Sequence, residues 1–187
     1  HPFKVLFDYG HNAHAVGVMA DLAQRLDVGG RRIVVLAGPG DRRDEDLHAI
    51  ADAVANRFDH YICRRDDALR GRDGDEVPLI MSRRLRAAGV AAEAIETIPD
   101  EQEAIDAALR MARPGDLLLV FADALVRSWK QIIKFRPEGA PAARPAAAAP
   151  APAVEIDEPV FDESSFAAMG GVVRDERGLH LPRESED

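Results

Sequence analysis

Three short segments carry residue types that could do chemistry. The first is Asp8-Tyr9-Gly10-His11-Asn12, placed between an apolar run and a helix-like stretch. A carboxylate at the end of a strand can accept hydrogen bonds from ribose hydroxyls. The helix that follows offers free N–H groups and a partial positive charge to a phosphate, with His11 and Asn12 as extra donors. The same residues also fit a plain capped turn, with Asn12 as the N-cap and Asp8 bonded to local backbone.

The second segment is Gly38-Pro39-Gly40-Asp41-Arg42-Arg43-Asp44-Glu45-Asp46. Its glycines let backbone approach a ligand closely, while acids in a helix's first turn also serve as ordinary dipole compensation. It lacks the Gly-Lys-Ser/Thr ending of a P-loop. The third is Arg64-Arg65-Asp66-Asp67-Ala68-Leu69-Arg70-Gly71-Arg72-Asp73. Opposite charges at this density can grip a zwitterion, carboxylates taking an amine or guanidinium and arginines a carboxylate. A solvated loop with weak local ion pairs is the competing interpretation.

The elements that must position these segments alternate along residues 1–136. Strands are expected at 3–9, 32–37, 59–63, 92–97 and 117–121, the second and last nearly all apolar, as strands covered on both faces are. Helices are expected at 13–26, from the 38–41 turn to 57, at 76–88, 100–111 and 124–135. On the first, Val16, Met19, Ala20 and Ala23 share an apolar face; on the fourth, Ile105, Ala108 and Leu109 do. This pattern predicts an α/β fold, Rossmann-like, with a mostly parallel sheet and helices on both faces. Ligands of such sheets bind beyond the carboxyl ends of the strands, where all three segments and Ala122-Asp123 fall.

From 137 to 153 the chain is almost entirely Pro, Ala and Gly, which predicts an extended linker. Residues 154–187 hold ten acids and three arginines, so most of the chain's net charge of −9 lies there. This acidic tail is expected to be disordered, or to hold a short docking segment. The balance argues against nonspecific nucleic-acid binding, and the longest apolar run is far shorter than a membrane helix needs. A single cysteine, Cys63, suits a structural thiol in the cytoplasm. The histidines show no metal-ligand spacing and the serines no nucleophile elbow. The opening His1-Pro2-Phe3 reads as a cut from something longer.

Asp8-Tyr9-Gly10-His11-Asn12 resembles the Asp-Tyr-(Ala/Gly)-His-Asn-Pro signature in the third domain of the Mur ligase superfamily, with Ala13 in place of the final Pro. The run at 38–47, the Asp66-Asp67…Arg70-Gly71-Arg72 loop and Trp129-Lys130-Gln131-Ile132-Ile133 resemble the cyanophycin synthetase branch of that superfamily. The likeness covers residues 3–136. It implies the C-terminal lobe of an ATP-dependent carboxylate–amine ligase, which works through an acyl phosphate and, in that branch, joins arginine to an aspartate side chain. By position, Asp8 would meet the ATP ribose, with His11 and Asn12 near the phosphates. Asp66, Asp67, Arg70 and Arg72 would serve the incoming amino acid, and Asp41, Arg42 and Arg43 would line the cleft.

The resemblance also implies partners. ATP and Mg would be held mainly by an upstream ATP-binding domain that this sequence lacks, so the lobe alone should be inactive. An amino acid or acidic polymer would be the substrate, and the full-length protein a homo-oligomer. From a different class comes a non-catalytic nucleotide- or amino-acid-binding module acting through the acidic tail.

Overall fold

In the computed structural model, residues 1–136, 173–175 and 178–180 are described. Five strands, β1 (Lys4–Asp8), β2 (Arg32–Gly38), β3 (His60–Arg65), β4 (Ile95–Thr97) and β5 (Leu117–Phe121), form one sheet in the order β1-β5-β2-β3-β4. Every pairing is parallel. Four helices connect them, α1 (Ala13–Arg25), α2 (Asp44–Val54), α3 (Glu76–Ala87) and α4 (Glu101–Met111), and α5 (Leu125–Lys134) follows β5.

Side-chain alternation divides the core in two. On one face Val34, Leu36, Tyr61, Cys63, Leu117 and Leu119 pack against α1, α2 and α3, through Val16, Ala20, Leu47, Ile50, Met81 and Leu85 among others. On the other, Ile33, Val35, Ile62, Leu118 and Val120 meet Ala104, Ile105, Ala108 and Leu109 of α4 and Ile132 of α5. The central strand β2 is therefore buried on both sides, as its continuous apolar run requires. Each fully covered Leu, Ile or Val contributes about 1.5–3 kcal/mol relative to exposure.

The helix ends follow local chemistry. Asn12 caps α1 by accepting from Ala15 N–H at 2.9 Å. Asp100 caps α4 by accepting from Gln102 and Glu103 N–H at 2.8 and 3.0 Å. Gly89, at φ 91°, turns the chain away from α3, as its place after that helix suggests.

Most ends shift by a residue or two from the expectation, and three of the shifts matter. The second helix stops at Val54 rather than 57, since Asn56 adopts φ 58° and leaves the helical path. The region 92–97 begins with a 3₁₀ turn at Ala92–Ala94, leaving only Ile95–Thr97 as strand. Most consequential, β3 runs to Arg65 instead of ending at Cys63, because Ala37↔Arg64 and Gly38↔Arg65 continue the ladder with β2.

Residues 173–175 (β6) and 178–180 (β7) form a separate antiparallel pair, Val173 opposite His180 and Asp175 opposite Gly178. The sequence reading gave no strands there. The expected linker at 137–153 and the rest of the expected disordered tail lie outside the described residues. Among the described residues no helix is long and apolar enough to cross a membrane.

Candidate functional site

The parallel sheet brings the carboxyl ends of β1, β2, β3 and β5 to one edge, and the loops leaving them carry the predicted residues. At the end of β1, Asp8 Oδ1 accepts from Gly10 N–H at 2.6 Å, and its other oxygen has no donor among the described residues. Asp8 thus makes the local contact of a capped turn while keeping acceptor capacity for a ligand. His11 lies edge-on to Tyr9, with ring centroids 5.0 Å apart. His11 and Asn12 share a small hollow of about 110 Å³ with Ala13, Arg42, Asp46, Ala49 and Ile50. That is below the ~300 Å³ at which small-molecule pockets usually begin, so it has room for a phosphoryl-sized group but not a nucleotide.

The β2 and β3 loops are bound to each other. Arg70, at φ 50°, pairs with Asp41 at 3.0 Å and with Asp66 at 3.6 Å. Arg72 donates to Gly40 O (2.9 Å) and Arg42 O (2.7 Å) and pairs with Asp44 (2.8 Å) and Glu76 (2.6 Å). With so many acceptors engaged, Arg72 works as a clamp between the loops. Gly40 permits the contact: a Cβ there would stand 2.1 Å from Leu69 O. The Arg43 guanidinium makes two bonds to Asp46 on the next helical turn, a residue that lines the hollow beside His11.

Beneath the β3 loop lies a buried ionic network that joins Arg64 and Asp123, both within the segments marked in the sequence, to Glu101, Ser128 and Arg127, which were not. Arg64 has no exposed surface. Its guanidinium pairs with Glu101 (3.0 Å) and Asp123 (2.9 Å) and donates to Phe121 O (2.8 Å) and Arg65 O (2.7 Å). Glu101, also fully buried, accepts further bonds from Ser128 Oγ (2.6 Å), Asp123 N–H (2.7 Å) and Arg127 (3.1 Å). Burial alone would raise the Glu101 and Asp123 carboxyls. The Ser128 hydroxyl and Arg64 at Glu101, and Arg64 at Asp123, hold both below the usual range.

Asp66 goes the other way. Burial, then the hydrogen bond and repulsion from neighbouring Asp123, push it up to about 6. Asp123 Oδ2 also accepts from Asp67 N–H at 3.3 Å, and Asp67 pairs with Arg127 at 2.6 Å. An open hollow of about 650 Å³ adjoins this cluster, lined by Asp123, Ala124, Leu125, Val126, Arg127 and Lys130.

The structure therefore brings His11, Asn12 and Arg42 together in one place. It brings Asp41, Asp66, Asp67 and Arg70 together in another, through Asp123 and Arg127. The inward turn of Arg64 had one available signal: in β3 it has the parity of Ile62 and so points at the α4–α5 face. Cys63 faces the opposite core, and burial pushes its thiol up to about 12, as suits a structural residue. Trp129 is half exposed, with its ring 5.8 Å from Phe7. Among the described residues, no group of three or more His, Cys, Asp or Glu could hold a metal ion.

Residues 1–124 match the family model described as Mur ligase, glutamate ligase domain. The chain belongs to the Mur ligase family. Over 137 residues it is 36% identical to a cyanophycin synthetase of Geminocystis herdmanii (strain PCC 6308), covering 71% of this chain and 15% of the relative. This Mur ligase domain thus spans about one seventh of the length of that relative. Among solved structures it resembles UDP-N-acetylmuramoyl-L-alanyl-D-glutamate–2,6-diaminopimelate ligase (TM-score 0.58, 18% identity, 71% of this chain and 30% of that one). It also resembles Mycobacterium tuberculosis folylpolyglutamate synthase complexed with ADP (TM-score 0.51, 19% identity, 72% and 30%). Both likenesses speak to the fold of the Mur ligase domain, the α/β architecture with a parallel five-stranded sheet.

Proposed function

We propose that this domain is the C-terminal lobe of an ATP-dependent carboxylate–amine ligase of the cyanophycin synthetase type. In this reading ATP phosphorylates an aspartate side-chain carboxylate, and the amine of an amino acid such as arginine displaces phosphate to form an amide. The observation that carries it is the division of the strand-end edge into two chemically distinct parts. The β1 side offers a carboxylate with a free oxygen beside a capped helix N-terminus and a phosphoryl-sized hollow. The β3–β5 side offers paired carboxylates and arginines against a larger open hollow.

Asp8 would accept from the ribose, with His11 and Asn12 donating toward phosphate oxygens. Asp66 and Asp67 would face the cationic part of the incoming amino acid and Arg70 its carboxylate. Arg72, Asp41, Arg42 and Arg43 would form and brace the wall between them. The small β1-side hollow supports a nucleotide only partly held here, the remainder and Mg falling to an upstream ATP-binding domain. Closure of the two would assemble the site, so this lobe alone would be inactive. Residues 1–136 would be the working domain, 137–153 a linker and 154–187 an accessory tail, in a cytoplasmic homo-oligomer.

The test is phosphate release from ATP by the full-length protein with an aspartate-rich primer and arginine, lysine or no amine. Arginine-dependent release, lost in Asp8→Ala with the fold intact, is the expected result. Release independent of every amine, or none at all, would refute the assignment.

A further inference from the structure

The N-terminal end of α5 presents the N–H groups of Asp123 and Ala124 at the carboxyl end of β5, where a ligand anion could dock in a sheet of this kind. Here it is filled from within. The Glu101 carboxylate accepts from Asp123 N–H (2.7 Å), Ala124 N–H (3.4 Å) and Ser128 Oγ (2.6 Å), and pairs with Arg64 (3.0 Å) and Arg127 (3.1 Å). Glu101 belongs to the first turn of α4, so one side chain joins α4, β3 and the β5–α5 turn.

What Glu101 holds is specific. Arg64 passes from it to the Asp123 carboxylate at 2.9 Å, Asp123 lies against Asp66, and Arg127 passes from it to Asp67 at 2.6 Å. Neither Asp8 nor His11 bonds to any member of this set. Glu101 itself is fully buried and cannot touch a substrate.

We propose that Glu101 is a positioning residue for the amine substrate: by occupying the anion site at the start of α5, it fixes Arg64, Arg127 and Asp123, and through them aims Asp66 and Asp67 at the incoming amine. It also leaves the N-terminus of α1 as the place for phosphate. The inference rests on the ligase reading and refines its amino-acid side.

Glu101→Gln keeps the side-chain shape but replaces one accepting oxygen with a donor facing other donors. In the full-length protein, phosphate release from ATP is measured while arginine and ATP are varied separately. The KM for arginine should rise about tenfold or more, while the KM for ATP stays within about twofold. A general loss of structure would move both together. Ser128→Ala, which deletes one donor and no charge, should raise the arginine KM by about threefold, and decides the matter if Glu101→Gln does not fold. Equal changes in both constants, or an unchanged arginine KM in a folded variant, overturn the proposal. If the unaltered protein shows no amine-dependent release, the ligase reading itself falls and takes this inference with it; amine dependence with the wrong KM pattern sinks the inference alone.

Discussion

Replacing Arg64 with Met isolates the energetics of the buried network. Met fills similar volume but removes the guanidinium that pairs with Glu101 and Asp123 and donates to Phe121 O and Arg65 O. Removing one partner of a buried ion pair costs about 3–5 kcal/mol, because the remaining charge is left uncompensated. Two features pull this case toward the lower end. Glu101 retains Ser128, Arg127 and two backbone N–H donors, and the Asp123 side chain is 21% exposed and can recover water. A loss of about 3 kcal/mol is therefore expected, a large part of the 5–15 kcal/mol by which a domain is ordinarily stable. In urea, with a slope of about 2 kcal/mol per molar, the midpoint should fall by about 1.5 M. The sign of the pH dependence follows from the carboxylates. In the unaltered chain Glu101 and Asp123 are held below their usual range, so their stabilisation is present above their unfolded pKa values and is lost as pH falls. Without Arg64 both carboxyls lose a cation that holds them down and take up protons at higher pH than in the parent, so the gap between variant and parent should narrow from pH 7 to pH 4. Adding Glu101→Gln to the variant should cost less than the two separate losses combined. A loss below about 1 kcal/mol, or a gap constant across that pH range, would refute the reasoning.

Asp66→Asn addresses the carboxyl raised to about 6. A raised acid favours the fold fully below its unfolded pKa and loses that contribution as pH rises through the folded value, so the window runs from about pH 4 to 6. Relative to the parent, Asp66→Asn should gain stability across that window, by at most about 3 kcal/mol, when denaturation curves are compared at both ends; a difference that shrinks with rising pH contradicts the shift. Gly40→Ala places a methyl 2.1 Å from Leu69 O, against backbone that cannot simply rotate away. It should cost about 1–3 kcal/mol in urea unfolding and hasten proteolysis within residues 66–72, whereas an unaltered midpoint would mean the two loops are not tightly joined.

Much of the architecture was legible because single residues acted unambiguously. The run Ile33–Leu36 could only be a strand covered on both faces, and Asn12 before Ala13 marked a helix start that its side-chain cap now explains, while Asp100, read as the first residue of its helix, caps it instead. The helix after Gly40 ends three residues short of the expected 57 because Asn56 takes a positive φ, which asparagine tolerates better than most residues, so its identity was the stop signal there. The strand-end loops were correctly gathered at one edge, since a parallel sheet leaves them nowhere else. Their partners were not legible. Arg64 beside Arg65 and two acids looks like surface, and only its register with Ala37, together with Glu101 some forty residues later, turns it inward. Arg72 and Arg43 were equally charged in sequence, yet one clamps two loops and the other pairs along its own helix.

The most direct measurement follows the oxygen of the activated carboxylate. A primer with its aspartate side-chain carboxylates labelled with ¹⁸O is given to the full-length protein with ATP and arginine, and the released phosphate is analysed by mass spectrometry. Attack of the carboxylate on the γ-phosphorus, followed by displacement by the amine, predicts one ¹⁸O atom transferred to each phosphate, matched by one arginine joined. Phosphate free of label, or labelled phosphate formed equally well without amine, would contradict an acyl-phosphate ligase.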